Sequence, residues 1–112
     1  MAERSINISI AGCSKVAQLH AKAIRNIRDA RLVGVWNRTK QKAEDFALAH
    51  NTRCYKDIPS MVNENNVDLV IVCTAHPFHK QPAIEAANSG ANVLIEKPFA
   101  SDLQDCDDII KA

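Results

Sequence analysis

A chain of 112 residues has room for one domain with a core of ordinary small-domain size. Hydrophobic residues make up 46% and charged residues 24%, and a formal net charge of +1 gives no electrostatic case for nucleic acid or a membrane surface. The basic residues are scattered and aromatics are only 4% of the chain, so no basic stacking platform is predicted.

Cysteines fall at positions 13, 54, 73 and 106 without a C-x-x-C pair. That pattern reads as buried or turn thiols in a reducing cytosol, not as a disulfide framework. Met1-Ala2-Glu3-Arg4 leads straight into a strand without a signal-peptide pattern, and no apolar run approaches the roughly 20 residues of a membrane helix. The expectation is a cytoplasmic protein.

Apolar residues alternate at Ile6, Ile8 and Ile10, the period of a strand, and then fall at Val16, Leu19, Ala23, Ile24 and Ile27, the period of a helix. The change of period occurs across Gly12-Cys13-Ser14-Lys15. A strand that turns into a helix through glycine presents backbone N–H groups at the positive end of the helix dipole, a seat for phosphate. Arg28-Asp29-Ala30-Arg31 reads as a polar turn, and Leu32–Trp36 as a second strand, apolar throughout as in parallel sheets. Asn37-Arg38-Thr39 closes it, with Thr39 placed to cap a helix whose inner face is Ala43, Phe46, Ala47 and His50.

Asn51-Thr52 breaks that helix, and Arg53-Cys54-Tyr55 is at most a short third strand. Asp57 caps a brief helix through Ile58, Met61 and Val62, and Asn63-Glu64-Asn65-Asn66 reads as a loop. Residues 67–73 form the strongest strand of the chain, followed by a loop from Thr74 to His79 in which Pro77 biases His76 away from helix. Pro82 lies in the first turn of a helix carrying Ala83, Ile84, Ala86 and Ala87, with Gly90 as its C′ residue. A fifth strand, Ala91–Ile95, ends at Glu96-Lys97-Pro98-Phe99, and Ser101 with Gln104 opens a last helix lined by Leu103, Cys106, Ile109 and Ile110.

Regular alternation of strand and helix predicts an α/β fold over residues 1–112, a doubly wound, Rossmann-like parallel sheet of five strands. The chain ends inside a helix that would ordinarily lead to a sixth strand, so the reading is a domain truncated before it. An unprotected edge beside the fifth strand, and with it self-association into a homo-oligomer, are the corollaries.

Three places carry chemistry. Against G-x-G-x-x-G/A the first turn reads Gly12-Cys13-Ser14-Lys15-Val16-Ala17. Gly12 supplies the tight turn, Ala17 is small enough for close helix–strand packing, and Ser14 replaces the glycine that lets backbone approach a pyrophosphate. About 20 residues on, where an acid would accept from a ribose 2′-OH, stand Asn37 and Arg38, with Lys42 one turn later. Loss of the carboxylate removes repulsion of a 2′-phosphate, and the guanidinium suits one, which favours NADP over NAD. The third place is the carboxyl edge of the later strands, Thr74–His79 and Glu96-Lys97-Pro98, where open α/β sheets bind ligands. Lys97 there is a cation able to polarise a hydroxyl or carbonyl.

These residues resemble the N-terminal domain of the glucose–fructose oxidoreductase, inositol dehydrogenase and MocA (Gfo/Idh/MocA) family. Four stretches carry the resemblance, in order: Ala11–His20, Val35-Trp36-Asn37-Arg38, Asp68–His79 and Gly90–Pro98, of which Glu96-Lys97-Pro98 is the most specific. The resemblance implies a cofactor-binding domain of an NAD(P)-dependent oxidoreductase acting on a sugar, polyol or related hydroxy compound. It implies a catalytic role for Lys97 near the nicotinamide and substrate. By the same resemblance and the motif positions, the cofactor-binding set is Gly12, Cys13, Ser14, Lys15, Val16, Asn37, Arg38, Lys42, Thr74, Ala75, His76, His79, Glu96 and Lys97. Ser14, Asn37 and Ala75 depart from the residues usual in the family. The family's second domain, which supplies most of the substrate pocket, is absent, so this chain is expected to bind cofactor without turning over substrate. The alternative is a non-catalytic nucleotide-binding or redox-sensing module.

Cys73, His76 and His79 match no strong zinc template and lack a fourth ligand, so no metal site is predicted. Cys13, at a helix N-terminus, is read as a small packing residue in preference to a reactive thiol. His20 and His50 are read as core-edge residues.

Overall fold

The computed structural model describes residues 5–74 and 80–95. The first strand, β1 (Ile6–Ala11), runs into α1 (Lys15–Arg25), and β2 (Ala30–Trp36) into α2 (Lys40–Ala49). After α3 (Ile58–Asn65) come β3 (Leu69–Val72), α4 (Lys80–Asn88) and β4 (Asn92–Ile95). All strand pairs are parallel, in the order β2-β1-β3-β4.

The sheet therefore has four strands among the described residues, not five. The expected third strand is reduced to one bridge, Cys54 against Val35, held by the Val35 N–H to the Arg53 carbonyl at 2.8 Å and the Tyr55 N–H to the Val35 carbonyl at 2.9 Å. Only Arg53 to Tyr55 lies between the left-handed Asn51 (φ 55°) with its Thr52 and the Lys56-Asp57 approach to α3, too short a run for a ladder. The bridge still places the chain outside β2 before α3 carries it to the other side of β1.

Alternation along the strands builds two cores. Ile8, Ile10, Val35, Ile71 and Cys73 pack with Ala17, Ala21 and Ile24 of α1 and with Phe46 and Ala47 of α2. On the opposite face Ala11, Val70 and Val72 pack with Ile58, Met61 and Val62 of α3 and with Ala83 and Ala86 of α4. The chain is thus wound in both directions from β1, with helices covering both faces. Ser9 belongs to the buried interior, with no exposure and, among the described residues, no hydrogen-bond partner for its hydroxyl. It lies where a bulge shifts the β1–β2 register, between Ile8 and Ser9.

Three helices end in the same way. Asn51, Asn66 and Gly90 have φ of 55°, 51° and 97°. In each case the next N–H reaches back to the last turn: Thr52 to Ala47 at 2.9 Å, Val67 to Val62 at 3.1 Å, Ala91 to Ala86 at 3.2 Å. This is the 6→1 bond of a Schellman close. It explains one correction. Residues 63–65, read from the sequence as loop, continue α3, because the Asn65 amide bonds the Met61 carbonyl at 2.8 Å and the Tyr55 hydroxyl at 3.0 Å before Asn66 turns the chain. Two smaller corrections concern the first crossover. Helix α1 ends at Arg25, leaving Ile27 half exposed, and β2 begins at Ala30 inside the expected polar turn, because the Ile6 N–H pairs with the Asp29 carbonyl at 2.7 Å.

Candidate cofactor site

The two windings part between β1 and β3, and ligands of open α/β sheets bind at the carboxyl ends of strands at such a switch point. Gly12 and Thr74 face each other there. Gly12 has φ 100°, and a Cβ built on it would lie 2.6 Å from the Thr74 Cα and 2.7 Å from the Cys73 carbonyl carbon. No side chain fits in that gap. The glycine lets the turn lie directly on the end of β3, fixed by the Gly12 N–H to the Trp36 carbonyl and the Cys73 N–H to the Ala11 carbonyl, both 2.7 Å.

Ser14 has φ −87° and ψ −178°, extended backbone that any residue adopts, so the structure makes no demand for glycine there. Its hydroxyl is the N-cap of α1 and accepts from the Ala17 N–H at 3.3 Å. The cap leaves the N–H groups of Lys15 and Val16, the first two helical residues, without intrahelical acceptors. Both residues are exposed. They stand where the sequence reading expects an anion to sit, and Ser14 shapes the turn that presents them.

Asn37 does more than omit a charge. Its Oδ1 accepts from the Cys13 N–H at 2.9 Å, and its Nδ2 donates to the Thr39 carbonyl at 3.1 Å. It thereby ties the turn after β1 to the turn after β2. Thr39 is the N-cap of α2 by position, but its side chain makes no capping bond. The Cys13 thiol is half buried, 3.9 Å from the Trp36 carbonyl, and burial, reinforced by Cys54, pushes its pKa up to about 12. That agrees with a packing role, since a reactive cysteine needs a stabilised thiolate.

The expected trio Asn37, Arg38 and Lys42 is divided by the fold. Arg38 lines a cleft of ≈ 390 Å³ between the turn after β2 and the segment 54–56, together with Trp36, Lys40, Tyr55 and Lys56. Lys42 instead shares a cleft of ≈ 490 Å³ between α1 and α2 with Cys13, Lys15, Gln18 and Asp45. No motif of the sequence singles out Lys40 or Lys56. The available signal was that Lys56 follows a segment ending at the same sheet edge as Arg38. Ala75, His76, His79, Glu96 and Lys97 lie outside the described residues, as does the helix expected from Ser101.

Thr74, only 8% exposed, closes the floor of the switch point beneath Gly12. At the far end of α2, His50 stacks obliquely on Phe46 with ring centroids 4.4 Å apart and bonds the Gln18 side chain. Burial first, then the charges of Arg25 and Lys22, hold its pKa below the ordinary histidine value. It is a core-edge residue, half-buried at the end of α2. No helix among the described residues is long and apolar enough to cross a membrane.

Comparison with known proteins agrees with this geometry. Residues 6–112 match the profile of the Gfo/Idh/MocA oxidoreductase family, described as having an NAD-binding Rossmann fold. The chain is 30% identical over 108 residues to scyllo-inositol 2-dehydrogenase (NADP(+)) IolU of Bacillus subtilis (strain 168), covering 96% of this chain and 33% of that protein. It is 27% identical over 110 residues to myo-inositol 2-dehydrogenase of Thermotoga maritima, covering 95% of this chain and 32% of that one. Among solved structures, the WlbA dehydrogenase from Bordetella pertussis, in complex with NADH and UDP-GlcNAcA, superposes with a TM-score of 0.87 at 27% identity, over 99% of this chain and 34% of that one. Biliverdin reductase from Synechocystis sp. PCC 6803, in complex with biliverdin and NADP+, shares the fold at a TM-score of 0.83 and 24% identity, over 95% of this chain and 34% of its own. The chain spans about a third of the length of these relatives. A glycine turn seated on a parallel-sheet switch point, in a chain matched from Ile6 to Ala112, places this protein in the Gfo/Idh/MocA oxidoreductase family as its NAD(P)-binding Rossmann domain.

Proposed function

We propose that this chain is the NADP(H)-favouring, cofactor-binding part of an oxidoreductase acting on a sugar, polyol or related hydroxy compound, with the substrate pocket completed by residues outside it. The observation that carries the reading is the cradle at Gly12, where backbone meets backbone with no room for a Cβ. A pyrophosphate laid across it would be held by the Lys15 and Val16 N–H groups, with Ser14 shaping the turn and the Lys15 ammonium beside it. A bound nicotinamide would supply hydride exchange with a substrate carbon. The chain's own contribution is to fix that cofactor at the carboxyl edge of the sheet, with Thr74 beneath the glycine turn.

The substrate class rests on family membership and on relatives named as inositol dehydrogenases. Lys97 is the proposed catalytic residue, donating a hydrogen bond or proton to the reacting oxygen. Glu96, Ala75, His76 and His79 are proposed to line the nicotinamide half. At the adenosine half, an amide at Asn37 in place of a carboxylate removes the group that would repel a 2′-phosphate, and Arg38 supplies a planar cation. Titration of the chain with NADPH and NADH tests the reading. Saturable binding of both, tighter for NADPH, is the expected result. No saturable binding of either overturns the cofactor reading, and tighter NADH binding overturns the preference alone.

A further inference from the structure

The cleft beside Arg38 carries a second feature that the dinucleotide motif does not require. Its cations come from three places in the sequence: Arg38 from the turn after β2, Lys40 from the first turn of α2, and Lys56 from the segment bridged to β2. Among the described residues no acidic side chain lines it. The α1–α2 cleft differs, since Asp45 there offsets Lys15 and Lys42. Asp57, next in sequence to Lys56, turns its carboxylate to the α3 N-terminus, accepting from the Ser60 N–H at 2.7 Å.

The position of Lys56 is fixed by backbone. The Trp36 indole N–H donates to the Lys56 carbonyl at 3.2 Å, and the Tyr55 N–H donates to the Val35 carbonyl at 2.9 Å. Two aromatic side chains, Trp36 and Tyr55, complete the wall. A cleft lined by three cations and two aromatic side chains matches a phosphorylated nucleoside.

We propose that Lys56 is a specificity-determining residue for the cofactor, completing with Arg38 and Lys40 a three-cation seat for the 2′-phosphate of NADP(H). The assignment rests on the NADP reading above. It adds that discrimination is shared between the turn after β2 and the segment after the Cys54 bridge. Lys42, on the other side of α2, contributes to the pyrophosphate side.

The chain's one tryptophan is the reporter, because Trp36 lines the same cleft. Trp36 fluorescence is followed during titration with NADPH, NADH and adenosine 2′-phosphate, for wild type, Lys56→Gln, Lys56→Arg and, as a charge-matched control remote from the cleft, Lys22→Gln. Thermal midpoints are read alongside. Lys56→Gln is expected to weaken NADPH and adenosine 2′-phosphate roughly fivefold while leaving NADH within about twofold. Lys56→Arg is expected to restore most of the loss, and Lys22→Gln to leave the NADPH-to-NADH ratio unchanged. A wild type that prefers NADPH by a ratio Lys56→Gln does not move overturns this assignment alone. Equal weakening of NADPH and NADH by Lys56→Gln overturns it in favour of a structural role. A wild type that prefers NADH overturns the NADP reading, and the seat with it.

Discussion

Gly12 and Ser9 sit within one strand and its turn, and both are set by contacts that local sequence does not reveal. At Gly12 the constraint is double: a φ of 100° and backbone where a Cβ would be. Gly12→Ala is expected to cost at least about 2 kcal/mol of stability and to abolish cofactor binding, measured by denaturant midpoint and by NADPH titration. Retained binding at wild-type affinity would show that the cradle is not the seat. Ser9 is the converse case, a fully buried hydroxyl with no partner among the described residues. Removing it takes away an unsatisfied polar atom and leaves the backbone ladder intact, so Ser9→Ala is expected to raise stability by about 1 kcal/mol. A destabilised Ser9→Ala would mean that the hydroxyl is satisfied in solution.

Among the elements, α3 shows how a weak helix is made secure. It has only eight residues, but it carries a side-chain cap at Asp57, Pro59 in its first turn and a Schellman close at Asn66. The Asp57 pKa is lowered, first by the backbone hydrogen bond from Ser60. The carboxylate therefore stabilises the fold fully above the ordinary aspartate range, and that contribution is lost as pH falls through the range toward the lowered native value. Asp57→Asn keeps an acceptor at the cap and removes the titration. Urea midpoints taken from about pH 6 down to about pH 3 should fall less steeply for Asp57→Asn than for wild type. Parallel curves would rule Asp57 out as a contributor to the acid limb. Asn51 was legible as a break because asparagine tolerates the left-handed region. The exact end of α3 was not, since it depends on Asn65 finding the Tyr55 hydroxyl ten residues away.

At the scale of the whole molecule, β4 is an edge strand among the described residues, and Leu94 on it is 48% exposed. Such an edge is a template for pairing with a second chain. Light scattering across a concentration series is expected to show association, and a strict monomer at high concentration would count against it. The order β2-β1-β3-β4 also places every candidate site residue of the described chain at one edge of the sheet, because parallel strands share a carboxyl end.

The sequence by itself determined the alternation of strand and helix, the glycine turn, the cap at Asp57 and the missing carboxylate at Asn37. All of these are written in local period and residue type. Tertiary structure alone decided the rest. Asn37 is a tie because the Cys13 N–H lies 2.9 Å from its oxygen, and the third strand is a single bridge because so little chain remains between two turns. Arg38 and Lys40 line one cleft with Lys56, and Lys42 lines another with Lys15, because Lys40 and Lys42 of α2 face different sides of the helix. Neighbours 18 residues apart in sequence but joined across a sheet edge leave no periodic trace, which is why the cation seat became visible only in three dimensions.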